Sequence, residues 1–328
     1  MADYMMSARA SLDSGSPGAV KFLQSTDNGA TFRSVTKASW ANAVLSEFPT
    51  NPDTKRKVGD ILIFVHGFNV SFEASRAAHV SYRDSLRQAG WKGMLISFDW
   101  PSNGLAFAYL PDRENARKTA NALVTDGVAL LEQKQGPQCD VTVHVLCHSM
   151  GAFVTREAFL WAHQDVPATW WIGQLLFVAP DIEAGCMADG QPAAAKFVQH
   201  AGRGTVYWNR YDKALAVSDV KRLDLAPRLG RVGLPDTAPP VMSGVDCSAL
   251  FDAVDPGLKL HLDPVATHCF YFQQPVFWQD VVLTLNGGID RNAFPTRGPA
   301  GYNRFTLNTA PVAAPDYDQA LKRSDIQR

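Results

Sequence analysis

One segment, residues 141–151, constrains the fold of this chain more than any other. It reads Val-Thr-Val-His-Val-Leu-Cys-His-Ser-Met-Gly, an apolar, β-branched run that ends in a serine with glycine two positions later. Residues 152–160, which follow at once, suit a helix. The order predicts a strand, a sharp turn at Ser149 and a helix, the pattern of a nucleophile elbow, G-x-S-x-G. Gly151 fits the small position after the serine; Cys147 is small but not glycine, and it ends the strand too early to be the nucleophile.

A second apolar run breaks at His-Gly. Residues 61–70 read Ile-Leu-Ile-Phe-Val-His-Gly-Phe-Asn-Val. An acyl-transfer serine needs two backbone N–H donors for the oxygen that becomes negative in the tetrahedral intermediate. The donors expected from such segments are Met150, directly after the serine, and Phe68, in the His-Gly loop. Gly67 lets the backbone turn its N–H inward, and we expect His66 to order the loop rather than to act as the base.

The composition predicts one soluble domain with a small-molecule substrate. The 328 residues are 46% hydrophobic, and 31 basic against 32 acidic side chains give a net charge of −1. This balance gives no sign of a nucleic-acid or membrane-surface partner. No apolar stretch reaches the roughly 18 residues of a membrane span. The first ten residues lack a secretion signal, so a cytoplasmic location is expected. The five cysteines form no metal or disulfide pattern, and the oligomeric state is left open.

Strand-like runs alternate with helix-like ones, which is typical of an open, mostly parallel sheet with helices on both faces. The predicted strands are 60–65, 93–98, 141–146, 173–179, 204–209 and one within 239–250, and the predicted helices are 71–89, 113–133, 152–163, 191–201 and 275–286. The interval between the fourth and fifth strands holds the helix 191–201, which leaves no room for a large cap domain. We expect an N-terminal extension at 1–55 with one or two antiparallel edge strands, a catalytic domain at 56–288, and a Pro-rich tail at 289–328 that wraps the surface or frays.

The general base should follow the serine and the acid in the chain. Three histidines lie beyond residue 180: His200, His261 and His268. His200 ends a helical run, and His261 lies in an alternating segment that suits a strand or the surface. His268 falls between the last predicted strand and the closing helix, where we expect a loop. Chain order and placement therefore favour His268 as the base, with His261 as the alternative.

Two aspartates are candidates for the acid that orients the base. Asp212 follows the strand 204–209, where the orienting carboxylate usually lies, and Asp181 follows the previous strand. Asp181 could instead cap the turn after Pro180. Position in the fold favours Asp212, with Asp181 as the alternative acid, and this preference is an analogy with other folds of the same type.

The combined motifs resemble a branch of the α/β-hydrolase superfamily best known as a bacterial domain of unknown function. The resemblance covers about residues 58–285 and rests on His-Gly-Phe-Asn-Val at 66–70, Ser-Phe-Asp-Trp-Pro-Ser at 97–102, His-Ser-Met-Gly at 148–151, Ala-Pro-Asp-Ile-Glu at 179–183 and Asp-Lys-Ala-Leu at 212–215. Cys147 in place of alanine, the extra Asp99 and Glu183 in place of aspartate depart from the family pattern. The resemblance implies the α/β-hydrolase fold and a serine hydrolase acting on esters, and it does not separate Asp212 from Asp181.

These patterns together predict a serine esterase that needs no metal and no cofactor. We expect five residues to border the ester substrate: His66, Gly67, Asn69, Trp100 and His148. Trp170 and Trp171 could also line the pocket, although a core position is favoured. Two alternatives stay open, an amidase, peptidase or acyltransferase with the same residues, and a non-catalytic binding protein of the same fold.

Overall fold

The apolar runs of the sequence form the strands of a central sheet. The computed structural model describes residues 2–102, 109–134, 139–161, 170–216, 226–258 and 260–313. Within these ranges the strands are β1 (Asp3–Arg9), β2 (Pro17–Ser25), β3 (Arg33–Val35), β4 (Lys57–Val65), β5 (Met94–Asp99), β6 (Cys139–His148), β7 (Ile172–Val178), β8 (Ala201–Trp208), β9 (Met242–Asp246), β10 (Arg297–Gly301) and β11 (Arg304–Leu307). Their order in the sheet is β10-β11-β9-β8-β7-β6-β4-β5-β1-β2-β3. All six predicted strands are present.

The helices lie between the strands in sequence. They are α1 (Lys37–Ser46), α2 (Phe72–Gln88), α3 (Tyr109–Ala122), α4 (Ala129–Lys134), α5 (Gly151–Trp161), α6 (Pro192–His200), the one-turn α7 (Leu229–Val232), α8 (Ser248–Val254), α9 (Pro264–Cys269) and α10 (Pro275–Asn286). A π-helical segment, Leu123–Val128, joins α3 to α4. The five predicted helices are confirmed, although residues 162 and 163 of the helix predicted at 152–163 lie outside the described residues. In the described part of the chain, no helix is long and apolar enough to span a membrane.

Alternation along the buried strands divides the core into two layers. In β4, Ile61, Ile63 and Val65 join one apolar cluster, whereas Leu62 and Phe64 join another on the opposite face. Successive side chains of a strand point to opposite faces. The first cluster includes buried residues of α1, α3, α5 and α6, and the second includes residues of α2, α8 and α10. Strands β5, β4, β6, β7, β8 and β9 pair in parallel. The predicted α/β architecture with helices on both faces is confirmed.

The connection between β7 and β8 is short, as the sequence predicts. It contains a 3-10 turn at Ala184–Met187 and the helix α6. Both pack onto the first core layer through Ala184, Met187, Ala193 and Phe197. No large cap domain enters the fold between these two strands.

The N-terminal segment contributes more to the sheet than the one or two antiparallel edge strands expected. Strands β2 and β3 are antiparallel at the edge, but β1 pairs in parallel with β5 and lies inside the sheet. All seven residues of β1 are buried. The polar residues of β1 interrupt the apolar pattern by which a buried strand is predicted. Their main partners lie far away in the chain: Nη1 of Arg83, for example, lies 2.8 Å from both Asp3 carboxylate oxygens.

The C-terminal tail was expected to wrap the surface or fray, and for residues 297–307 this expectation is wrong. Strands β10 and β11 form a hairpin, and β11 extends the sheet in parallel beyond β9. Pro299 is compatible with β10 because this strand is at the edge, where a missing N–H leaves no neighbour unpaired. Arg297 anchors the hairpin, since its Nε and Nη2 lie 2.8 and 2.7 Å from the buried carboxylate of Asp280 on α10. Residues 314–328 lie outside the described part of the chain.

The Arg297–Asp280 pair should contribute strongly to stability. Substituting Arg297→Met leaves the buried Asp280 without its cation, and we expect the free energy of unfolding to fall by about 3–5 kcal/mol. The matched control is Arg56→Met, because Arg56 and Asp140 are also 2.7 Å apart but remain 38% and 45% exposed. Its loss should be about 1 kcal/mol or less. Urea unfolding of both variants measures the difference, and equal losses would contradict this interpretation.

Candidate active site

Ser149 lies at the carboxyl end of β6, where the chain turns sharply into α5. Its φ is +54°, a left-handed backbone conformation that non-glycine residues rarely adopt. Surrounding hydrogen bonds hold this turn: the Ser149 N–H donates to the Val178 carbonyl, and the Asp181 N–H donates to the Ser149 carbonyl, both at 3.0 Å. Strain of this kind persists only when neighbouring contacts fix it, and it is concentrated at functional sites.

Two glycines allow the strand, the loop and the helix to meet at Ser149. A Cβ atom on Gly151 would lie 2.4 Å from the Val65 carbonyl oxygen and 2.6 Å from that of His66. A Cβ atom on Gly67 would lie 2.8 Å from the Cβ of Ser149 itself. The His-Gly loop therefore lies directly against the serine, as its position after β4 predicts.

His268 lies beside the same turn and is paired with Asp212. Its Nδ1 is 2.6 Å from Oδ2 of Asp212, and its ring centroid is 4.7 Å from that of His148. Burial alone would lower the pKa of His268, but the charge of Asp212 and the hydrogen bond to it raise the pKa above its ordinary value. Burial and the neighbouring His268 hold the pKa of His148 well below its ordinary value. Burial thus disfavours the charged form of His148, whereas Asp212 stabilises the charged form of His268.

The segments that carry Asp212 and His268 are tied to each other. Asn209 Nδ2 donates to the Thr267 carbonyl at 3.1 Å, and the Lys213 N–H donates to Thr267 Oγ1 at 2.9 Å. His268 lies in the short helix α9 and not in the expected loop. This helix begins at Pro264, and the Asp263 side chain caps its N-terminus. The helix is only six residues long, too short for its start signal to be recognised in the sequence.

Asp181, the alternative acid, occupies a different position. Its Oδ1 is 3.8 Å from Nε of the buried Arg228, and its backbone N–H holds the serine turn. Its charge adds to the rise in the pKa of His268, but less than that of Asp212. The two aspartates are thus both close to the site, and the structure places Asp212, not Asp181, on Nδ1 of His268.

The other two histidine candidates lie elsewhere. His200 is at the end of α6, where its ring stacks on Trp170 with centroids 3.9 Å apart and its Nδ1 lies 3.0 Å from the Trp170 carbonyl oxygen. His261 faces Asp252, with Nε2 3.5 Å from Oδ1. Trp170 belongs to the core, whereas Trp171 is 47% exposed.

Two of the five residues expected to border the substrate, Trp100 and His66, instead support the His-Gly loop. Trp100 is fully buried, stacks on His66 and donates from Nε1 to the His66 carbonyl at 2.8 Å. His66 Nε2 lies 3.2 Å from Oδ1 of Asp99. In this structure Trp100 and His66 therefore pack beneath the loop, because their polar atoms are bound to protein partners. Asn69, by contrast, is exposed and has a φ of +62°.

Cys147 is unsuited to act as a nucleophile. It is fully buried in β6, and its Sγ donates to the Leu176 carbonyl at 3.5 Å. Burial raises the pKa of the Cys147 thiol far above its ordinary value. A reactive thiol needs the opposite, an accessible thiolate with a lowered pKa.

Comparison with known proteins gives the family. Residues 46–255 match the family described as alpha/beta hydrolase of unknown function (DUF900). The chain belongs to this family. The match supports hydrolase chemistry and agrees with the mostly parallel sheet. It includes Ser149 and both candidate acids, whereas His268 lies beyond the matched residues.

More remote similarities are also found. The uncharacterized protein alr1448 of Nostoc sp. (strain PCC 7120) is 23% identical over an alignment of 219 residues, and the match covers 51% of this chain and 56% of that protein. The matched part thus spans little more than half of that relative. An esterase of Pyrobaculum calidifontis is 10% identical, with 71% of this chain and 77% of that chain covered and a TM-score of 0.36. Esterase B of Lactobacillus rhamnosis is 12% identical, with 72% and 84% covered and a TM-score of 0.33.

Sequence reasoning missed one residue that supports the site. Arg9 of β1 donates from Nε to both carboxylate oxygens of Asp99, and its two Nη atoms donate to four backbone carbonyls, among them those of Val70 and Ser102. The extra Asp99 was the available signal, because a buried carboxylate after an apolar strand needs a cation. Among the described residues, no cluster of three or more His, Cys, Asp or Glu side chains could hold a metal ion.

The close approach at Gly151 can be tested directly. We expect Gly151→Ala to lower the free energy of unfolding by about 1–3 kcal/mol, because the new methyl group would press on two backbone carbonyls that cannot move independently. Gly185→Ala is the matched control, since a Cβ atom there would meet nothing within 4 Å. Urea unfolding measures both. A Gly151→Ala variant as stable as the control would show that the strand and helix are not in the contact described.

Proposed function

We propose that the protein hydrolyses carboxylic esters through an acyl-enzyme, with Ser149 as the nucleophile, His268 as the general base and Asp212 as the orienting acid. The observation that carries the proposal is the His268–Asp212 pair, with an Nδ1–Oδ2 distance of 2.6 Å, next to the strained Ser149: the His268 ring contacts His148, the residue directly before the serine. Membership in an α/β-hydrolase family supports it. The arrangement matches the roles of a serine, a base and an acid that fixes the base.

In the acylation step Ser149 Oγ attacks the ester carbonyl carbon while His268 Nε2 accepts the hydroxyl proton. The tetrahedral intermediate collapses, the C–O bond to the alcohol breaks, and His268 returns the proton to the departing alcohol. Water then attacks the acyl-enzyme with His268 again as the base, which releases the acid and restores Ser149. Within the described residues Ser149 Oγ forms no hydrogen bond; the bond between nucleophile and base often tightens only when substrate is present.

Two backbone N–H groups are proposed to stabilise the oxyanion. Met150 precedes the first residue of α5, so its N–H lies at a helix N-terminus, where intrahelical acceptors are lacking. The partial positive charge of the helix N-terminus favours an anion at this point. Phe68, in the loop that Gly67 brings against Ser149, would supply the second donor. Preorganised donors of this kind contribute about 2.7–4 kcal/mol each to the rate enhancement in acyl-transfer enzymes.

Asp212 would act in two ways. Bound to Nδ1–H, it leaves the lone pair of His268 on Nε2, the atom that must accept the serine proton. Its negative charge stabilises the imidazolium that forms in the transition state, consistent with the raised pKa of His268. The acid is itself fixed, because the Leu215 N–H donates to Asp212 Oδ1 at 2.9 Å.

The nucleophile can be tested without knowing the substrate. We expect a fluorophosphonate probe to label the wild-type protein and the wild type to hydrolyse p-nitrophenyl butyrate, whereas Ser149→Ala does neither while keeping its circular dichroism spectrum. The control is Cys147→Ala, which should retain labelling, because Cys147 is buried behind the turn. Labelling that survives in Ser149→Ala would place the nucleophile elsewhere. Absence of labelling in a folded wild type would refute the serine hydrolase proposal.

The two candidate acids should respond differently to removal of their charge. Asp212→Asn keeps the shape but favours the wrong tautomer of His268, and in such an arrangement this costs about four orders of magnitude in kcat. Asp181→Asn weakens the pairing with Arg228 and should mainly lower the melting temperature. Steady-state kinetics and thermal unfolding of both variants separate the roles. The reverse pattern would assign the acid to Asp181.

A further inference from the structure

Three arginines cover one aromatic ring next to the serine turn. Phe153 lies on α5 one helical turn after Ser149 and is fully buried. The guanidinium carbon atoms of Arg113, Arg156 and Arg117 lie 4.6, 4.8 and 5.5 Å from its ring centroid. Cation–π stacking explains why guanidinium groups gather here. It does not neutralise their charge.

Most of this positive charge has a carboxylate partner. Arg156 Nη2 lies 2.7 Å from Oε1 of Glu157, and Arg117 Nε lies 3.8 Å from Oε2 of the same residue. Arg117 also reaches Glu114, at 4.0 Å. In the same region Arg228 faces Asp181. Glu114, Glu157 and Asp181 therefore each have an arginine other than Arg113 as ion-pair partner.

Arg113 differs from these neighbours. It forms no hydrogen bond or ion pair with the residues that the structure describes, although its side chain is half-buried. Its Nε is shielded from solvent and lacks a hydrogen-bond partner. Burial, followed by the charges of Arg117 and Arg156, lowers the pKa of Arg113. A guanidinium stays protonated at neutral pH. Arg113 therefore keeps its positive charge although burial and two neighbouring arginines destabilise it, and a bound anion would lower the free energy of this charge.

Arg113 lies close to the segments that surround Ser149. Phe153 follows Ser149 by four positions and is the third residue of α5. The Arg113 guanidinium lies 4.6 Å from that ring, and the charges that act on it include those of Asp181 and Arg228. Asp181 in turn donates its backbone N–H to the Ser149 carbonyl. Arg113, which has no ion-pair partner among the described residues, thus contacts the first turn of the helix that follows Ser149 and interacts with the aspartate whose N–H holds the serine turn. This places it among the groups that a small substrate bound at Ser149 could reach.

We propose that Arg113 binds an anionic group of the substrate, so that the preferred esters carry a carboxylate at some distance from the scissile bond. This inference rests on the proposed function and narrows it from esters in general to anionic esters. Arginine suits the role because its planar fork can donate two parallel hydrogen bonds to a carboxylate. Arg113 would be a specificity-determining residue, and the bond-breaking steps would remain those of Ser149 and His268.

The kinetic test compares neutral and anionic esters of similar size. One pair varies the acyl part, p-nitrophenyl valerate against mono-p-nitrophenyl glutarate, and the other varies the alcohol part, phenyl butyrate against 4-butyryloxybenzoate. In at least one pair, we expect Arg113→Gln to raise KM for the anionic ester about ten-fold or more, as for loss of a charged hydrogen bond, with little change for the neutral ester. Arg113→Lys, which keeps the charge but not the fork, should retain part of the preference.

Arg117→Gln is the matched control. Arg117 lies on the same helix and over the same ring, but it is 52% exposed and paired with glutamates. The Arg117→Gln variant should leave the ratio of kcat/KM for the anionic ester to kcat/KM for the neutral ester unchanged in each pair. Equal changes in Arg113→Gln and Arg117→Gln would mean a general electrostatic effect and overturn the proposal. A ratio that Arg113→Gln does not alter in either pair would also overturn it.

A binding measurement separates failure of this inference from failure of the esterase assignment. Free glutarate at saturating concentration should raise the melting temperature of the wild type by about 3 °C or more, and that of Arg117→Gln equally. Arg113→Gln should show no such rise. Stabilisation that depends on Arg113 would support the anion site even if no ester were hydrolysed. Equal stabilisation of all three proteins, or of none, would exclude it.

Discussion

The buried pair of Arg9 and Asp99 joins the parts of the molecule that form the candidate site. Arg9 comes from the first strand, Asp99 ends β5, and both are almost completely buried. Burial would raise the pKa of Asp99, but the hydrogen bonds and charges of His66 and Arg9 lower it. A buried charge left without its partner costs about 3–5 kcal/mol. The pair therefore holds the N-terminal strand, the His-Gly loop and the Trp-Pro-Ser loop in one relative position.

The backbone around Ser149 shows why this rigidity matters. A left-handed serine is unfavourable by itself, and the approach of Gly151 to the β4 carbonyls leaves no space for another arrangement. The loop that carries Phe68 is held in turn through Arg9, which donates to the Val70 carbonyl at 2.7 Å. Donors to a developing charge are effective only when they need no reorganisation during the reaction. The strained backbone at Ser149 and the buried Arg9–Asp99 pair thus both hold the segments of the candidate site in fixed positions.

The sequence predicted the parallel strands and the main helices, because their apolar residues recur with clear periods of two or of 3.6 residues. It also predicted that Ser149 and the His-Gly loop would meet, since both follow parallel strands. Strand β1 escaped prediction because Asp3, Ser7 and Arg9 break its apolar pattern, and their partners lie far away in the chain. The hairpin of β10 and β11 escaped because Pro299 and neighbouring glycines suggest a loop. In both places tertiary pairing overrides local preference.

The choice between Asp181 and Asp212 as the partner of His268 also depends on contacts between residues far apart in the chain, which local sequence patterns do not predict. Asp181 and Asp212 both follow strands that end at the same edge of the sheet, so strand order alone gives them equal access to the serine. The difference arises from hydrogen bonds between Asn209 or Lys213 and Thr267, which join one aspartate loop to the histidine helix. No local pattern encodes such a cross-connection. Asp181 faces Arg228 instead. One carboxylate is therefore paired with His268 and the other with the group of arginines around Phe153, in which Arg113 has no ion-pair partner among the described residues.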